Sequence, residues 1–128
     1  MSVKVEVHEL AAQLADRPLA YLLTVTDDQH PHAVAVSPSV VEGGLRFTDG
    51  LGRRTRSNLA ARPDVTILWP PSEPGGHTLI ADGTVSVEGE ESPTATFVPV
   101  SAVLHRPVGH GSGPAGACGS DCVPVGDA

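Results

Sequence analysis

Aromatic residues are nearly missing: one Trp, one Tyr and two Phe, or 3% of 128 residues. A core has to come mainly from Val, Leu, Ile and Ala, and where the β-branched members cluster, sheet is favoured. Basic residues are also few. Eight Lys and Arg face fifteen Asp and Glu, for a formal net charge of −7. That balance argues against general attraction to nucleic acid. No stretch reaches the ~18 apolar residues of a bilayer span, which argues against a membrane protein. The opening "MSVKVEVHEL" lacks the apolar segment of a signal peptide. The chain therefore reads as cytoplasmic. It has two cysteines, Cys118 and Cys122. In a reducing compartment these are free thiols, redox-active thiols or metal ligands rather than a structural staple.

What is present reads as one domain, with 40% hydrophobic residues. "VEVHELAAQLADRP" has Leu10 and Leu14 at i and i+4 and predicts a short helix that Pro18 stops. "LAYLLTVT" predicts a buried strand, and "DDQHP" a tight turn. "HAVAVSPSVV" predicts a second strand, with Pro38 marking an edge or bulge. "EGG" leads to a third, "LRFTD", completing an antiparallel meander. Residues 55–61 predict a second short helix with Leu59 inward, ended by Pro63. "VTILWP", "TLIADGTVSVEG" and "TATFVPVSAVLH" predict strands four to six, with a bulge near Asp82-Gly83. The expected fold is a mainly β, six-stranded antiparallel barrel with two short helices. After Arg106 the composition turns Gly- and Pro-rich without periodicity. The expected division is a domain over 1–106 and a tail over 107–128 that carries "CGSDC".

Three of the eight basic residues, Arg53, Arg54 and Arg56, fall within four positions of "FTDGLGRRTRSNLAARPDV". A helix start carries partial positive charge, so cations there are locally unfavourable. Gly50 and Gly52 precede them and let backbone amides approach a ligand closely. Two arrangements meet these facts: a solvated basic face, or a socket in which a bound anion reverses the penalty.

The ordered run of strand, "DDQHPHAVAVS", "GGLRFTDG", "LGRRTRSNLAARPDVTILW" and a final hairpin resembles the split-barrel flavin-binding family typified by pyridoxamine 5′-phosphate oxidase. The resembling segments are Phe47-Thr48-Asp49, Gly52-Arg53-Arg54-Thr55 and Arg62-Pro63-Asp64-Val65, and the likeness spans residues 8 to 106. It implies a split barrel, a homodimer, and FMN held between two subunits for two-electron transfer to or from a small-molecule substrate. It implies that Arg54 grips the flavin phosphate. Thr55 stands where the family has lysine, and Arg53 or Arg56 would supply the missing charge. It further implies that His32 to Ser37, Val34 and Val36 included, lie along the isoalloxazine ring and bond its polar edge through the backbone. Thr48 and Asp49 match positions at the ribityl chain or phosphate; Asp49, being anionic, would instead cap the helix or pair with an arginine. Some relatives use a deazaflavin, some bind haem, and some have no established activity, so a deazaflavin-dependent reductase is the alternative within the fold.

Other candidates carry less. His30 and His32 flank Pro31 without a metal motif around them. His77 follows "PGG" and reads as a polar loop residue or a ligand contact. Trp69 reads as core or as a groove residue. Ser37, Ser39, Ser57 and Ser101 lie outside any nucleophile elbow. The alternative of another class is a non-enzymatic dimeric barrel that binds metal or senses redox through the tail. Cys118 and Cys122, with His105 or His110, would be its ligands.

Overall fold

The computed structural model describes residues 2–107. Eight strands and two short helical segments follow one another along the chain. β1 is Ser2–Val5. A 3₁₀ turn, Val7–Glu9, runs into α1, Leu10–Leu14. Next come β2, Ala20–Val25, β3, Pro31–Val36, β4, Ser39–Val41, and β5, Gly44–Phe47. α2 is Arg53–Ala61, and β6, Asp64–Trp69, β7, Thr78–Glu88, and β8, Thr94–His105, complete the sheet.

Every strand pairing is antiparallel, in the order β3-β2-β6-β7-β8-β5-β4, with β1 on the C-terminal half of β8. The two outermost strands, β3 and β4, are separated by only Ser37 and Pro38. A flat sheet cannot bring its opposite edges within two residues of each other. The sheet must curl, and because β3 and β4 do not pair it stays open between them, as a split barrel.

Inward positions alternate as the pleat requires. Leu22 on β2, Ile67 and Trp69 on β6, Leu79 and Ala81 on β7, and Phe97 on β8 are all buried. Aromatics are scarce in the sequence but not in the core: Trp69, Phe47 and Phe97 are its bulkiest fully buried side chains. Trp69 is thus a core residue. The expected bulge lies at Asp82/Gly83, where the pairing shifts from Ser101 to Pro99 and leaves Val100 unmatched. A Cβ on Gly83 would sit 2.3 Å from the Val98 carbonyl oxygen, so only glycine fits there.

The strand count is eight rather than six. β1 carries no alternating signal, since only Val5 of its four residues is buried. The expected second strand is two strands, because Pro38 has no N–H to continue a ladder. The expected meander is likewise two hairpins, β2–β3 and β4–β5, at opposite ends of the strand order. The first helix is also shorter than its periodicity suggests. Beyond it, Arg17 donates to the carbonyls of Trp69, Pro70 and His77, tying the ends of β6 and β7 together.

Candidate functional site

α2 buries Thr55, Asn58 and Leu59 on one stripe, the i, i+3, i+4 spacing of a single helical face. The same geometry turns Arg53, Arg54 and Ser57 outward, where all three are exposed. Gly52 is the N-cap, so no side chain caps the first-turn amides, and no acidic residue lies in that turn. A Cβ on Gly52 would meet nothing within 4 Å. Open space therefore adjoins uncapped amides and a local cluster of cations. Among the described residues no carboxylate pairs with Arg53, Arg54 or Arg56. The Arg56 side chain is half-buried, and its Nε is buried with no hydrogen-bond partner among the described residues.

The loop before α2 is clamped to β3. The Ser37 backbone N–H donates to Asp49 Oδ1 at 2.9 Å. Gly50 has φ of 70°, and a Cβ there would lie 2.7 Å from Val36 Cγ1 and 2.9 Å from the Ala35 carbonyl oxygen. Gly50→Ala is expected to cost about 1–3 kcal/mol from left-handed strain and overlap. Gly52→Ala, at φ −69° with room around it, should be close to neutral for the fold. Urea denaturation midpoints of the two variants check this contrast; equal midpoints would contradict it.

Arg53, Arg54, Ser57 and Asn58 form one wall of an open cleft of about 660 Å³. Its other wall is the β2–β3 turn, with Thr26, Asp27, Asp28 and His30. Arg62 donates to Asp27 Oδ1 at 2.7 Å and to the Val25 carbonyl at 3.1 Å, holding the turn against the end of α2. The Thr26 hydroxyl donates to Asp28 and is the main cause holding that carboxyl below the usual carboxylate range. Beneath the cleft, buried Asn58 Nδ2 donates to buried Thr24 Oγ1 at 3.0 Å. Thr24 Oγ1 in turn lies 3.5 Å from His32 Nδ1. A polar chain thus links α2, β2 and β3 where the sheet would otherwise be apolar.

A sequence profile described as pyridoxamine 5′-phosphate oxidase matches residues 7–109. The chain belongs to the pyridoxamine 5′-phosphate oxidase family. It is also 43% identical to an uncharacterized protein of Mycobacterium bovis, over 94% of each chain. Two solved structures share the fold. One is an F420 reductase, at TM-score 0.57 and 21% identity, covering 70% of this chain and 93% of that one. The other is an FAD-binding protein from Mycobacterium smegmatis, at TM-score 0.60 and 14% identity, covering 83% of this chain and all of that one.

Of the ligand-contact residues expected from sequence, only two line this cleft. They are Arg53 and Arg54. Thr48 is exposed at the end of β5. Thr55 is 2% exposed, so it faces the core rather than an anion. Asp49 neither caps α2 nor pairs with an arginine; it accepts from Ser37 instead. β3 is a sheet edge, paired only to β2. The Val36 side chain is buried and that of Val34 half-buried, which leaves the β3 backbone, His32 and Ser37 for any ligand. Sequence reading missed Asn58 and Thr24, and takes the Asp27-Asp28 pair for ordinary turn chemistry. Asn58 had a signal: it sits three residues after Thr55 and one before Leu59, on the buried face.

The remaining candidates do not join the cleft. His77 contributes its carbonyl to Arg17. His105 Nδ1 lies 3.0 Å from the Ser2 hydroxyl. His110, Cys118 and Cys122 lie outside the described residues. Among the described residues no three metal-binding side chains converge, and no helix is long and apolar enough to cross a membrane.

Proposed function

We propose that this chain is a flavin-binding, oxidoreductase-like member of the family, working as a cytoplasmic homodimer with FMN between its subunits. The unit that binds is residues 1–106, with 107–128 as a separate tail. Arg53 and Arg54 take the phosphate with the first-turn amides of α2, and Arg56 adds charge from behind. The edge of β3, from His32 to Ser37, offers the ring those backbone groups that the loop before α2 does not take up. When bound, the flavin supplies the two-electron chemistry; the protein binds, orients and leaves the ring accessible to a small molecule.

The observation that carries this reading is the cluster of guanidinium groups at an uncapped helix start with no carboxylate partner among the described residues. Without an anion the arrangement is unfavourable; with one it is stabilising. The exposed Val40, Val98 and Val100 give a second chain an apolar surface to cover. Native mass spectrometry of the purified protein after incubation with FMN is expected to show a dimer with two FMN. A monomer, or a dimer without flavin, would refute the proposal.

A further inference from the structure

The cleft beside α2 has walls of opposite charge. Arg53 and Arg54 stand on one side; Asp27 and Asp28 stand on the other. The acidic wall is fixed rather than free to swing away. Arg62 anchors Asp27, while Thr26 holds Asp28 and accepts from the His30 backbone N–H at 3.0 Å. Two cations can neutralise one phosphate dianion. Any further negative group entering this cleft meets fixed carboxylates instead of more arginines. Arg56 does not line the cleft and so does not extend the positive wall along it.

We infer that the β2–β3 turn is a specificity wall, selecting a flavin that ends in a single phosphate against one with an extended polycarboxylate tail. The inference rests on the FMN reading above and takes it further, to the residues that would disfavour the deazaflavin F420. Asp28 is the residue that does most of this, because Arg62 already offsets the charge of Asp27. The Thr26 hydroxyl donates to Asp28 and so favours its charged form.

The test is fluorescence titration of the full chain with FMN and with F420 at low salt. The wild type is expected to bind FMN about tenfold tighter than F420. Asp28→Asn should shift the ratio about three- to fivefold towards F420, the size of one exposed charge interaction. Asp27→Asn should shift it in the same direction. Raising the salt to about 0.5 M should shrink the wild-type preference, since the repulsion is screened. Equal or tighter wild-type binding of F420, or a ratio that Asp28→Asn leaves unchanged, would overturn the specificity wall and leave flavin binding standing. If neither flavin binds, the flavin reading falls and this inference falls with it.

Discussion

Trp69→Ala is expected to lower the melting midpoint by roughly 15 °C or more. Trp69 is 1% exposed and lies at the end of β6 opposite Leu79. Truncating a buried aromatic to alanine costs about 3–5 kcal/mol. Small domains have about 5–15 kcal/mol in total. The backbone around it is also committed, because the Trp69 carbonyl is one of three that accept from Arg17. A tryptophan lining a ligand groove would behave differently: its loss would spare the fold and weaken binding. Far-UV circular dichroism during heating separates the two, and a variant melting within a few degrees of wild type would place Trp69 outside the core.

Arg54→Ala is expected to do the reverse. Arg54 is exposed, unpaired among the described residues, and sits where the helix dipole disfavours a cation. Its removal should leave the apo fold as stable as before, or more stable by several tenths of a kcal/mol. FMN affinity, however, should fall by about 1.5–3 kcal/mol, the scale of a charge-assisted hydrogen bond, or about 10- to 150-fold. Losses of affinity without loss of stability are what a binding residue gives. A variant that melts early and binds FMN normally would make Arg54 a structural residue.

Much of this fold was legible because the strands alternate cleanly and the breakers are strong. "VTILW" and "TLIADGTVSV" have one inward face each, and Gly83 marks the bulge by the backbone space it needs. β1 was not legible. Its stability comes from pairing Val5 with Ala102, a contact about a hundred residues away that no local pattern encodes. The division of the second strand was half legible: Pro38 announced an interruption but not that β4 would cross to the far edge of the sheet. At the site, the arginines were conspicuous because they broke a local electrostatic rule. Asp49 was misjudged because its partner is a backbone N–H twelve residues earlier in the chain. The acidic wall was passed over because Asp27 and Asp28 look like ordinary turn residues until α2 is placed across from them.

In the proposed complex the α2 arginines neutralise a phosphate. Parallel calorimetric titrations of FMN and riboflavin into wild type and Arg54→Ala test it most directly, because the two ligands differ only in that group. Wild type is expected to prefer FMN by about tenfold or more, and the variant to lose most of this preference while binding riboflavin as before. Riboflavin and FMN binding equally well to the wild type, or losing affinity equally in the variant, would contradict it.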